Sequence, residues 1–160
     1  RGLGDVYKRQ VPQDLEPVDS AEEAVTDADI ICAATTSSTP VLRYQDLKSG
    51  VHINGVGSFQ PSMQEIDSET IKNALVFVDS RESALSETGD LTIPIQEGII
   101  GKNHLRAEIG ELLENPSLGR NTPDEITFFK SCGVAVQDVV AAGMALEQAK
   151  KHNLGRIIRM

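Results

Sequence analysis

Short apolar runs alternate along the chain with stretches whose apolar residues recur at helical spacing, the pattern of strand–helix units around a mostly parallel sheet. Asp29 followed by IICAAT reads as a strand, ended by Ser38-Thr39-Pro40; its successive apolar residues lead us to expect cover on both faces. Val51-HINGV is a second strand, closed by Gly57 and Pro61. Leu75-VFVD is a third, and Glu125-ITFFK one more. Helices are expected between them. Asp19-Ser20 ahead of AEEAV supplies an N-cap with carboxylates in the first turn, so residues 20–27 should be helical. Residues 66–74 (IDSETIKNA), 80–86 and 106–114 follow. The longest helix is expected over 131–152, ending at Asn153-Leu154-Gly155 with Gly155 as the C′ residue. Gly133, Val136, Val140, Gly143, Ala145 and Leu146 lay a small apolar stripe along it. That stripe packs either on the sheet or on a domain outside this sequence.

The first ten residues change the picture of where the protein begins. RGLGDVYKRQ is what CGT GGG CTC GGA GAT GTG TAT AAG AGA CAG encodes, and that DNA looks like a transposase adaptor used in sequencing libraries. Residues 1–10 are therefore set aside as an artefact, and the natural N-terminus is expected upstream of Val11. Without that stretch, which holds one acid and three bases, 23 acidic residues face 12 basic ones, a net charge of −11 with His neutral. Such a surface repels phosphate backbones and argues against nucleic acid as a partner. Cys32 and Cys132 are a hundred residues apart with no His or Cys at ligand spacing, so both are expected to be buried or half-buried free thiols, in keeping with a reducing cytoplasm, and no metal is expected. No apolar stretch approaches the roughly 18 residues of a membrane span.

In a parallel α/β sheet, ligands bind beyond the carboxyl ends of the strands. Two runs end in suitable chemistry. Thr35-Thr36-Ser37-Ser38 carries four hydroxyls able to bond a ribose or an amide, although such a run is also ordinary material for turns. Asn54-Gly55-Val56-Gly57-Ser58-Phe59-Gln60-Pro61 holds two glycines against which a flat ring could lie, and it equally suits a tight strand exit. Asp79, Glu87 and Asp90 have no basic or metal partner nearby in sequence and read as helix caps or solvated loop residues. His52, inside an alternating strand, reads as structural, and His104 and His152 as surface. Thr122-Pro123 with Glu125 three residues after Thr122 has the layout of a capping box, and Arg120 beside it reads as structural.

Taken together and in order, DADIICAATTSSTPV, LKSGVHINGVGSFQPSMQEI, VFVDSRESALSETGDL and AEIGELL through TPDEITFFKSCGVAVQDVVAA resemble the C-terminal half of the ornithine cyclodeaminase/mu-crystallin family. The similarity covers nearly all of residues 17–155. It implies an α/β fold: residues 11–130 as the later portion of a Rossmann-type NAD(P)-binding domain with a parallel sheet, and 131–160 as a C-terminal helix returning to a missing N-terminal dimerisation and substrate domain.

The resemblance also implies site residues. Thr35 falls where the family contacts the nicotinamide ribose. Val56, Gly57, Ser58 and Phe59 fall where the main chain lines the nicotinamide. Ser131, in Phe-Lys-Ser-x-Gly, would contact the cofactor at the start of the long helix, and Cys132 falls where the family touches substrate. The cofactor implied is NAD or NADP, with a small amino or imino acid as substrate and a homodimer as the full-length assembly. Cyclodeaminases resemble Val-Gly-Gly-Asp-x-Pro at the second run, with the Asp as acid/base; here Phe59 stands in its place, and a phenyl ring cannot shuttle protons. Ser58, Gln60 or a group upstream remain as proton sources. The expectation is thus a cytoplasmic oxidoreductase acting on α-imino or α-amino acids, such as a ketimine or pyrroline-carboxylate reductase or an alanine-dehydrogenase-like enzyme. The alternatives are a cyclodeaminase turning ornithine into proline and ammonia, or a non-catalytic ligand binder resembling mu-crystallin.

Overall fold

The computed structural model describes residues 16–156 and 158, so the adaptor-like residues 1–10 lie outside the described residues. Five strands form one parallel sheet. In chain order they are β1 (Ile30–Ala33), β2 (His52–Gly55), β3 (Leu75–Val78), β4 (Leu105–Glu108) and β5 (Thr127–Lys130), arranged β1-β2-β5-β3-β4. Helix α1 (Ala21–Val25) precedes β1, and α2 (Ser68–Asn73) lies between β2 and β3. Helices α3 (Arg81–Glu87) and α4 (Gly89–Gln96) lead to β4, α5 (Ile109–Glu114) follows it, and α6 (Ala135–Lys151) closes the described chain.

Strands β1, β3 and β5 form where β-branched and aromatic residues cluster, and the register sorts the side chains of all five by face. Ile31, Ile53, Phe128, Val76 and Leu105 stand side by side on one face, all buried. Ile71 of α2, Ala84 of α3 and Leu91 of α4, each fully buried, join them in a single core. Caps hold these short helices in place: the Ser20, Asp67 and Ser80 side chains accept from the amides of Glu23, Thr70 and Ser83.

The opposite face is only partly covered. Ile30 and Cys32 point to solvent from β1, so the expectation of a strand covered on both faces is corrected, and Cys32 is exposed rather than buried. Further across this face an open cleft of about 400 Å³ runs between the sheet and α5, lined by His52, Asn54, Phe77, Leu112 and Phe129 among others.

Four local expectations also change. Residues 105–108 pair as β4 and only 109–114 are helical, because the alternation Leu105, Arg106, Ala107, Glu108 buries every second residue. The long helix begins at Ala135, not Ser131. It ends in a Schellman motif whose C′ residue is Asn153 (φ 53°), with the amides of Asn153 and Leu154 donating to Lys150 and Ala149, so Gly155 lies beyond the cap. No helix follows Thr122; the Glu125 carboxylate instead accepts from the amides of Asn121 and Thr122, which keeps its pKa below the usual range. Along α6 no residue is buried, and Val136, Val139, Val140, Met144 and Leu146 are all exposed. No helix among the described residues is long and apolar enough to cross a membrane.

Candidate functional site

Because the strands are parallel, every carboxyl end opens on the same rim, and β1, β2 and β5 are consecutive neighbours there. Main-chain bonds continue the sheet past its last residues: Val56 N–H donates to Ala33 C=O (2.8 Å) and Ser131 N–H to Gly55 C=O (3.0 Å). Thr35, residues 56–59 and Ser131 therefore leave the sheet side by side. At about 4.8 Å per strand, Thr35 and Ser131 flank the central bend within roughly 10 Å.

The bend is fastened from beneath by a residue that spacing alone did not reveal. Glu65 is fully buried, and its carboxylate accepts from the amides of Thr35 (2.5 Å), Gly57 (2.6 Å) and Ser58 (3.1 Å). A Cβ on Gly57 would overlap both the Thr35 carbonyl and this carboxylate, so only glycine lets the β1 and β2 exits approach so closely. With these amides spent on Glu65, a ligand resting on the bend meets its carbonyl groups, the exposed Val56 and the exposed Phe59. Ser58 faces inward: its hydroxyl donates to Met63 C=O (2.6 Å) and lies 2.8 Å from the Thr88 hydroxyl. That corrects the reading of Ser58 as a proton source for a ligand, while its main chain stays at the bend.

Asp79 organises the exit of β5. Its carboxylate accepts from the Ser131 hydroxyl (3.1 Å) and from the amides of Cys132 (2.9 Å) and Gly133 (2.7 Å). The turn needs Gly133 in the left-handed region, at φ 82°. Asp79 is thus a loop clamp, not a helix cap, and Ser131 sits in that loop, four residues ahead of α6. The Cys132 thiol is pushed up to about 11, first by burial and then by the nearby Asp79 charge. At pH 8 such a thiol is about one part per thousand thiolate. Cys132 should therefore resist iodoacetamide at pH 8 and react only as the pH nears its own pKa, with peptide mass spectrometry as the check; full alkylation within minutes at pH 8 would contradict the burial assigned to it.

Deeper still, Asp90 and Lys130 are both fully buried, with Lys130 Nζ 3.7 Å from Asp90 Oδ2. Asp90 Oδ1 accepts from the amides of Glu65 (2.7 Å) and Ile66 (3.1 Å). Burial raises the Asp90 pKa, opposed by the Ile66 amide and by Lys130. Asp90 is therefore no solvated loop residue, whereas Glu87 is exposed as expected. The signal in the sequence was Lys130, a lone charge closing an apolar strand on what becomes the buried face, where a charge needs a partner. His52 is the structural residue expected, with Nδ1 2.7 Å from the Thr127 hydroxyl and Nε2 3.3 Å from Asn54 Oδ1. Arg120 donates to Val51 C=O and the Thr127 hydroxyl, also a structural role. His104 is half-buried rather than on the surface, bonded to Ile71 C=O.

Comparison with known proteins places this geometry. The model of the ornithine cyclodeaminase/mu-crystallin family matches residues 6–153. A Delta(1)-pyrroline-2-carboxylate reductase of Bacillus cereus is 47% identical over 140 residues, which are 87% of this chain and 43% of that protein. Among solved structures, the Delta(1)-pyrroline-2-carboxylate reductase of Thermococcus litoralis, in complex with NADH and L-proline, superposes with a TM-score of 0.82 at 40% identity, covering 88% of this chain and 44% of that one. An archaeal alanine dehydrogenase dimer with bound NAD gives 0.79 at 34% identity, covering 99% and 48%. The chain thus spans under half the length of the relatives it matches. On the match to the family model over residues 6–153, the chain belongs to the ornithine cyclodeaminase/mu-crystallin family.

Proposed function

We propose that the chain is part of a longer NAD(P)-dependent oxidoreductase that reduces a small cyclic imino acid, Δ1-pyrroline-2-carboxylate being the first candidate, or interconverts an α-keto acid and an amino acid. The observation that carries this reading is the convergence of Thr35, residues 56–59 and Ser131 on one rim, beside a glycine whose missing Cβ lets the exits of β1 and β2 lie close together. The names of the similar proteins agree with it.

The residues present fit a nicotinamide. Gly57 leaves the bend free of a side chain at its tightest point, and Val56 and Phe59 stand exposed beside it as apolar walls. When bound, the cofactor would supply or accept the hydride exchanged with the substrate α-carbon. Thr35 and Ser131 would orient the ribose and nicotinamide from either side, and the half-buried Cys132 would touch substrate as a neutral thiol. Phe59 offers no proton, and the Ser58 hydroxyl is turned inward. Gln60 carries a neutral amide with no acidic proton, so the proton that accompanies imine reduction comes from solvent or from a residue outside this segment. The same lack of an acid/base disfavours ring closure of ornithine, which must lose ammonia before reduction.

Residues 11–130 are read as the later portion of the dinucleotide domain and 131–160 as the return to a dimerisation and substrate domain. The exposed apolar side of α6 supports this, since such a surface is rarely left uncovered. A homodimer in the cytoplasm is part of the same reading; the archaeal alanine dehydrogenase dimer agrees with the first, and the acidic composition disfavours a nucleic-acid partner. The full-length protein, given reduced dinucleotide and Δ1-pyrroline-2-carboxylate, should consume the nicotinamide absorbance and yield proline. Proline formed from ornithine, with no turnover of imino or keto acids, would reverse the reading.

A further inference from the structure

We propose that Glu65 is the positioning residue of this rim, setting the separation of the two main-chain segments between which the nicotinamide is read to lie; the inference rests on the functional reading above. Glu65 is a hub at three levels. Its carboxylate ties Thr35, beyond β1, to Gly57 and Ser58, beyond β2. Its carbonyl accepts from the amides of Val41 (2.8 Å) and Leu42 (3.1 Å), fastening the far end of the loop that Thr35 begins. Its own amide donates to Asp90, whose other oxygen faces Lys130 at the end of β5, the strand that carries Ser131. One buried side chain and its main chain thus couple the exits of β1, β2 and β5.

The chemistry requires a carboxylate. Three N–H donors converge on two oxygens, and charge-assisted bonds of this kind are short and hold their geometry. A glutamine keeps one oxygen but turns an NH2 group against at least one N–H, a donor facing a donor. The exits would then part, and the ring would sit loosely against the reacting carbon. A misplacement of about 1 Å there lowers a rate by roughly a hundredfold, whereas the binding of a substrate held elsewhere changes less.

The test uses the full-length protein with Glu65→Gln and, as a control, Ile71→Val, a fully buried α2 residue outside the rim. At saturating reduced dinucleotide, Glu65→Gln should lower kcat about 10- to 100-fold with a smaller change in the imino-acid KM. It should also shift the fluorescence of the bound reduced nicotinamide. Ile71→Val should lose melting temperature while keeping kcat and the fluorescence. Amide hydrogen exchange of the unmodified protein provides a readout that survives a poorly folding variant: the Thr35 amide, on an exposed residue, should exchange as slowly as those of Gly57 and Ser58. Rapid exchange at Thr35 and Gly57, or a Glu65→Gln protein with unchanged kcat and fluorescence, overturns the proposal. An unmodified protein that binds no dinucleotide overturns the functional reading itself, and the positioning role with it.

Discussion

Replacing Asp90 by alanine is expected to destabilise the protein by about 3–5 kcal/mol, the range found when one partner of a buried ion pair is removed and the other charge is stranded. Lys130 Nζ is fully buried and would be left facing an empty space, while the amides of Glu65 and Ile66 would lose their acceptor. Urea unfolding should report the loss as a lower midpoint with little change in slope. Combining Asp90→Ala with Lys130→Met should cost less than the two single changes summed, because the double variant strands no charge. A loss below about 1 kcal/mol for Asp90→Ala would mean that the two groups are not paired in the folded protein. The pair also gives a pH signature. The folded-state pKa of Asp90 is raised, so the group favours folding below its unfolded value of 3.8, and that contribution is lost as pH rises through the raised value. In Asp90→Asn this falling limb should disappear.

Substituting Gly57 by valine should have the largest effect on ligand binding. A Cβ at this position meets the Thr35 carbonyl and the Glu65 carboxylate, neither of which can retreat, since the first belongs to the backbone and the second is held by three amides. The bend has to open, and overpacking of this kind costs about 1–3 kcal/mol in stability. Opening the bend parts the exits of β1 and β2, and with them the main chain against which the ring would rest. Dinucleotide affinity should fall at least about tenfold, equivalent to about 1.4 kcal/mol or more, as measured by calorimetric titration of the full-length variant. Gly110, which has open space around the position of a Cβ and no left-handed backbone, provides the contrast: its replacement by alanine should leave affinity unchanged. Unaltered affinity in Gly57→Val would place the ring elsewhere.

Four of the five strands were legible because each concentrates β-branched or aromatic residues in a run bounded by turn formers, as in IICA and LVFV. Strand β4 was not. LRAE has only two apolar residues and runs straight into a helix, so its alternation was absorbed into the helical pattern that follows. Helix α4 escaped for a different reason: Thr92, Ile93, Pro94 and Ile95 are poor helix formers, and it is helical because Leu91 and Pro94 are buried against the core. The strand-end segments could be named from their sequence, since hydroxyls and glycines announce themselves locally. The network beneath them could not. Glu65, Asp90 and Lys130 lie 25 and 40 residues apart, and only the placement of β5 between β2 and β3 brings them together. The same holds for Asp79, whose partners Ser131, Cys132 and Gly133 lie more than fifty residues downstream.

The most direct measurement is a crystal structure of the full-length protein with reduced dinucleotide bound. The nicotinamide should rest against the main chain of residues 56–59, with Thr35 on one side and Ser131 on the other, and Glu65 still bonded to the three amides beneath. A ring seated in the open cleft between the sheet and α5, or anywhere away from the carboxyl ends of β1, β2 and β5, would contradict it.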